Sequence, residues 1–400
     1  MTIDFQQVYE KIREIGATAQ QRKKTLEERR MTALRLFYEH ANNLDGLRYK
    51  VETAKTADPA LRCALPLNEP LDFHALPPAL PLNAVLIAAD GSQINPDRHS
   101  SIQFGLINVG AIILRLNSGA APQIFTDSDL LFDEQLTTAS GAPLSEGMVA
   151  LMRDLRERSK LDELAASFAV DETPIITFTD GPIELWGSAS GEDAAAFAES
   201  LSKYRTVLSR LQTRGVVTAG YVDKPAADLV IRLLELMAIG DVAQVENLRN
   251  IHPLRGVSDR WLFGNRKNPM LAPGERSAVF ALQAKSEKDY KGVLAIHFFY
   301  LNAGTQGRPW PVRVEIPKWV ADDPQKLGQL HAVLVSQCRM MGAKPYPYLL
   351  HRAHETAVVS FEEKNQIEQL LSMELRRAGE DTDDGSYKQS AKDLPGRTHF

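Results

Sequence analysis

The stretch Val85-Leu86-Ile87-Ala88-Ala89-Asp90-Gly91-Ser92 runs five apolar residues straight into an aspartate and a glycine. A second stretch, Ile175-Ile176-Thr177-Phe178-Thr179-Asp180-Gly181-Pro182, repeats the arrangement. Short apolar runs rich in β-branched residues and closed by a turn signal read as buried strands. Each strand then carries a carboxylate to the carboxyl edge of a sheet. Two carboxylates on neighbouring strands repel unless a cation sits between them, so the pair points to a divalent metal and to metal-dependent hydrolysis. The competing reading makes each aspartate the cap of a turn.

Outward from these strands the pattern is mixed α/β. Strand signals at 84–89, 101–109 and 111–117, the last two parted by Gly110, predict a meander. Met148, Leu151, Met152, Leu155, Leu161 and Leu164 fall at helical spacing and predict a helix over 146–168. Helices at 191–213 and 225–238 flank a strand at 216–220. A hairpin of 292–301 and 311–316 is joined by a Gly-containing loop at 303–310, and helices follow at 323–342 and 346–373. Residues 1–56 read as a helical arm, with Phe5, Val8, Tyr9 and Ile12 on one face. The Pro-rich stretch 57–83 reads as an extended linker, 84–375 as the main domain, and 380–400 as a disordered tail.

The totals exclude several classes. The chain has 400 residues, 44% of them hydrophobic, and a net charge of -5, which gives no global nucleic-acid signature but leaves room for a local basic groove. Its two cysteines, Cys63 and Cys338, have no zinc or disulfide spacing and fit a reducing cytoplasm. No stretch has the length or apolarity of a signal peptide or membrane span, so a cytoplasmic protein is expected. Phosphate-loop, nucleophile-elbow and His-Glu-x-x-His motifs are missing from the sequence.

A metal site for phosphodiester chemistry needs further ligands. The helix before Asp180 offers Asp154, Glu157, Asp162 and Glu163, of which Glu157 lies at the border of the apolar face. His354, on a helix that begins near Pro347, is a candidate ligand or proton donor, with His351 one turn away on the same face. Lys224, between a strand and a helix, is placed to neutralise a phosphate. Tyr221 and Tyr300 offer aromatic faces for bases, against a core role for at least one aromatic of the Tyr300 strand, and Ser92 is a further expected DNA contact.

Several segments form an ordered set: Ala89-Asp90-Gly91-Ser92-Gln93-Ile94 with Pro96-Asp97-Arg98-His99, Ile107-Asn108-Val109-Gly110, and Thr179-Asp180-Gly181-Pro182. Gly220-Tyr221-Val222-Asp223-Lys224-Pro225, His297-Phe298-Phe299-Tyr300, Val314-Glu315-Ile316-Pro317-Lys318-Trp319-Val320 and Ala353-His354-Glu355-Thr356-Ala357-Val358 complete it. In this order, over about 84 to 370, they resemble the NurA nuclease family. The resemblance implies an RNase H-like mixed sheet flanked by helices. It also implies Mn²⁺-dependent hydrolysis of single-stranded DNA, with Mg²⁺ as the alternative ion, and 5′ to 3′ resection of duplex ends. Family members look like homodimers that dock on a hexameric HerA-type ATPase. The family's acidic ligands map onto Asp90 and Asp180, its histidine onto His354, and its glutamate onto Glu157, with Glu163 as runner-up. The competing expectations are a non-catalytic DNA clamp for a translocase and a related RNase H-like endonuclease.

Overall fold

The structure is a computed structural model that describes residues 3–98, 100, 102–138, 141–169, 173–187, 193–244, 247–342 and 344–379. The expected tail at 380–400 and His99 lie outside the described residues. By its internal contacts the chain divides into two units, Met1–Leu80 with Tyr221–Pro345, and Pro81–Gly220 with Tyr346–Phe400. The stretch expected as one domain, 84–375, therefore contributes to both.

The first unit opens with three helices, α1 (Phe5–Ala17), α2 (Ala19–Glu39) and α3 (Leu44–Ala57). The arm expected over 1–56 is borne only by α1, which buries no residue. α2 buries Ala33, Leu36 and Phe37, and α3 buries Leu47, Val51 and Ala54. The Pro-rich stretch is not a linker either. It forms β1 (Cys63–Pro66) and β2 (His74–Ala75) and buries Leu61, Cys63, Ala64 and Leu71. The apolar residues between its prolines gain more by burial than an extended linker would allow.

The second unit holds β3 (Val85–Ile94), β4 (Gly105–Arg115), β5 (Gln123–Leu131), α4 (Glu146–Ala165), β6 (Ile175–Asp180), α5 (Ala194–Thr213) and the start of β7 (Val217–Val222). β3, β4 and β5 form an antiparallel meander, and β6 lies parallel to β3. The resulting order β5-β4-β3-β6-β7 is the RNase H-like arrangement. Two details differ from the sequence reading. β4 is one strand that runs straight through Gly110, and β3 continues four residues past Asp90. The reason lies in the partners: the β3–β6 ladder reaches only Ala89 and Thr179, while β4 goes on pairing as far as Ile94. Asp90 thus sits where β3 loses one neighbour and keeps the other. β5 escaped the sequence reading because its edge position leaves most of its residues exposed and polar.

The chain continues in the first unit with α6 (Leu229–Ala238), α7 (Asp259–Gly264), β8 (Arg276–Ser277), β9 (Phe280–Gln283), β10 (Ile296–Asn302), β11 (Pro311–Pro317), α8 (Lys318–Ala321) and α9 (Pro324–Met340). β10 and β11 form the expected hairpin, paired from Ile296 with Pro317 to Asn302 with Pro311. The order β1-β9-β10-β11 completes this unit's sheet.

Back in the second unit, α10 (Tyr348–Ala357) and α11 (Phe361–Ala378) replace the single helix expected over 346–373. Ser360 accepts from the Glu363 amide while the Glu363 carboxylate accepts from the Ser360 amide, a capping box that starts a new helix. The last carbonyl of α10, on Ala357, accepts from the Ser92 hydroxyl at 2.5 Å and the Asn108 amide at 2.7 Å. Those two bonds fasten the end of α10 to β3 and β4.

Candidate metal centre

Asp90 and Asp180 become neighbours through strand register. β3 and β6 are parallel with Ala89 opposite Thr179, so one step further brings the two aspartates level on the same face. Asp180 is exposed at the strand end, and Gly181, with φ of 84°, turns the chain away in the left-handed region that favours glycine. Asp90 is only 13% exposed in its side chain. Its Oδ2 accepts a hydrogen bond from His354 Nδ1 at 2.7 Å. The histidine is itself 60% exposed, so one ring nitrogen is held while the ring faces solvent.

This contact depends on Gly110, the residue opposite Asp90 on β4. A Cβ there would stand 2.6 Å from the Ala353 carbonyl oxygen and 2.6 Å from the Ala357 nitrogen. Only a glycine admits the backbone of α10 this close to the sheet, and that approach brings His354 to Asp90.

Glu157 arrives from the other face. α4 packs on β3, and a Cβ at Gly91 would stand 2.6 Å from Glu157 Oε1. The missing side chain at Gly91 therefore makes the opening through which the Glu157 carboxylate reaches the strand beside Asp90. Glu157 is buried, and burial pushes its carboxyl up to about 8; Arg158 and Arg153 oppose the rise, while Asp154 and Asp90 add to it. The Arg153 guanidinium lies 3.3 Å from Glu157 Oε1, bonds Asp154 at 2.8 Å and also feels the Asp90 charge. Its Nε atom is buried without a hydrogen-bond partner.

The other helix acids are spent elsewhere. Glu163, the runner-up, is exposed and pairs with Lys160 at 2.9 Å. Asp162 is buried against Arg210 and Arg214. His351 pairs with Glu355 at 3.4 Å.

The expected DNA contacts fare differently. The Ser92 hydroxyl is committed to the Ala357 carbonyl and fixes α10. Tyr221 is 1% exposed and donates to the Pro345 carbonyl at 2.9 Å. Tyr300 is wholly buried, stacked on Phe263, and donates to Asp259 at 2.5 Å. Neither ring can stack a base, because packing covers both faces; the expectation of two stacking tyrosines is corrected. Lys224 is exposed in the first unit, its Nζ 5.9 Å from the Trp310 ring centroid.

Among the described residues, no three His, Cys, Asp or Glu side chains converge closely enough to hold an ion. The donor set is nevertheless of the right kind for a hard divalent cation, with carboxylate oxygens and one imidazole. Arg153, paired with Glu157 and Asp154 and within the field of Asp90, supplies positive charge to these acids. Sequence reasoning missed Arg153, Gly91 and Gly110 as site-building residues. Their signal was spacing: an arginine one turn before the candidate glutamate, and glycines inside apolar strands, which mark close backbone approach.

The NurA domain family matches residues 84–359, more than half of the chain. The chain belongs to the NurA family. That membership places it among nucleases and fits the RNase H-like order of the second unit's sheet. Solved structures with a similar fold include the NurA nuclease from Sulfolobus solfataricus, 13% identical, covering 93% of this chain and 98% of that one with a TM-score of 0.44. A NurA with manganese is 13% identical over 74% of this chain and 90% of its own, at a TM-score of 0.32. The catalytic domain of human Endonuclease V is 12% identical over 82% and 98%, at 0.28. No curated protein sequence matches. No helix among the described residues is long and apolar enough to cross a membrane.

Proposed function

We propose that this NurA-family protein is a divalent-metal-dependent deoxyribonuclease that hydrolyses phosphodiester bonds at the centre built on Asp90. The observation that carries the reading is the approach of α10 and α4 to two adjacent positions of β3. β3 presents Asp90, α10 brings His354 onto its carboxylate, and Gly91 lets Glu157 approach the next position of the same strand from α4. Asp180 stands beside Asp90 by register.

Asp90, Asp180 and Glu157 would hold the metal, with His354 as a further ligand or as a proton donor. Manganese is the proposed ion and magnesium the alternative. When bound, such an ion lowers the pKa of a water and stabilises charge on the phosphate. The chain's own groups do the rest. Asp90 holds His354 Nδ1 and so fixes the ring, leaving Nε2 to carry a proton to the departing oxygen. Lys224 is proposed to offset phosphate charge. Digestion from 5′ ends, a HerA-type hexameric translocase as partner and a homodimeric state are parts of the proposal that rest on the family resemblance, and a cytoplasmic setting is the part that rests on the cysteine usage and hydropathy of the sequence.

The test is cleavage of 5′-labelled single-stranded DNA in Mn²⁺, Mg²⁺ or EDTA, beside Asp90→Ala and Asp180→Ala. Metal-dependent products from the wild type, reduced at least a hundredfold in both variants, are expected. A wild type that leaves DNA intact even with a HerA-type ATPase and ATP would make the protein a non-catalytic clamp. A second reading does not need activity: Mn²⁺ should raise the melting temperature of the wild type and not that of Asp90→Ala.

A further inference from the structure

The loop joining β10 to β11 is built rigidly around one tryptophan. Asn302 Oδ1 accepts from the Gly304 amide at 3.0 Å and from the Trp310 amide at 2.9 Å, and the Ala303 amide donates to the Trp310 carbonyl at 3.1 Å. Thr305 and Arg308 bridge across the loop. A Cβ at Gly304 would stand 2.2 Å from the Arg308 carbonyl oxygen, so the tight closure needs glycine there. The Trp310 indole N–H donates to Asp223 Oδ1 at 2.7 Å, which fixes the ring and occupies that carboxylate oxygen.

Two cations rest on this ring. Arg260 Cζ lies 4.7 Å and Lys224 Nζ 5.9 Å from its centroid. α7, which carries Arg260, seats against the hairpin because Gly264 lacks a side chain; a Cβ there would stand 2.3 Å from Pro311. Among the described residues neither Arg260, Lys224 nor Arg308 pairs with any carboxylate, in contrast to buried Arg313, bound to Glu315 at 3.0 Å. Arg308 is exposed two residues before the tryptophan. Stacking on an aromatic ring spends the face of a cation and leaves its remaining N–H groups for an anion. A rigid base holding cations without counter-charges is what a chain of phosphates requires.

We infer that Trp310, Arg260, Lys224 and Arg308 form a preorganised cradle for the phosphodiester backbone of a nucleic-acid strand. The inference rests on the nucleic-acid reading of the protein's function and adds to it a binding surface of the first unit, in which Lys224 takes its phosphate together with Arg260 and Arg308. Trp310 acts as a brace that holds the cations in place, so the cradle binds without regard to base sequence.

The test is fluorescence anisotropy of a labelled oligothymidylate and of a labelled duplex in EDTA between 50 and 200 mM salt, so that cleavage plays no part. The proteins are the wild type, Arg308→Gln and the double variant Arg260→Gln with Arg308→Gln. The double variant should bind the single strand about tenfold more weakly at 100 mM salt. Its salt slope should fall by about 1.4, roughly 0.7 for each lost phosphate contact. Arg308→Gln alone, on an exposed loop where folding is not at stake, should lose about half of that slope. An unchanged affinity and slope in the double variant, no DNA binding by the wild type, or equal competition by polyglutamate would overturn the cradle. Binding without cleavage in Mn²⁺, even with a HerA-type ATPase and ATP, would sink the nuclease reading and leave the cradle standing.

Discussion

At the scale of single residues the centre is made by what two glycines leave out. Gly91→Ala would push a methyl group to 2.6 Å from Glu157 Oε1, and the carboxylate must retreat. Displacement of a catalytic group by about 1 Å costs on the order of a hundredfold in rate. Gly91→Ala should therefore lose about ten- to a hundredfold in metal-dependent cleavage, while thermal unfolding shows a folded protein. Cleavage at the wild-type rate would remove Glu157 from the site. The two aspartates were legible in sequence because an apolar run ending in Asp-Gly has few readings. His354 and His351 were not separable there. Both lie on α10, and only packing against β4 shows that one bonds Asp90 while the other pairs with Glu355.

At the scale of elements, α10 is the part that completes the centre, and β4 positions it. Gly110→Ala forces a methyl group against the Ala353 carbonyl and the Ala357 amide, neither of which can rotate away. Overpacking of this kind typically costs 1–3 kcal/mol. Urea denaturation should report a loss of about that size, and cleavage should fall with it because His354 leaves Asp90. A Gly110→Ala protein of unchanged stability and activity would show that α10 is not held in this way. Sequence reading placed this glycine as a break between two strands. It took a strand partner on each side and a helix above to show that the chain runs straight through. The same holds for Ser92, whose hydroxyl ties the end of α10 to β3 and is thereby removed from the expected DNA contacts.

At the scale of the whole molecule, stability also depends on buried polar groups of the first unit. His331, on α9, is 1% exposed and donates from Nε2 to the Gly274 carbonyl at 2.8 Å. Burial holds its pKa down to about 4 against an ordinary 6.5, and the charge of Arg276 lowers it further. Between those values the unfolded chain binds a proton that the folded chain does not, so stability is full above 6.5 and declines as pH falls toward 4. The contribution is on the order of 3 kcal/mol. Urea midpoints from pH 4.5 to 7.5 should show this decline in the wild type and a flatter profile in His331→Gln; equal slopes would refute it. The sequence by itself determined the mixed α/β class, the two Asp-Gly strands, the β10–β11 hairpin and the family likeness, because each is written in local periodicity and turn chemistry. Only the tertiary structure decided that 57–83 is core, that Tyr221 and Tyr300 are buried, that Glu157 is buried beside β3 while Glu163 is exposed and paired with Lys160, and that Trp310 carries two cations. Those outcomes depend on which surfaces meet, and residues distant in the chain carry no local signal of the contact they will share.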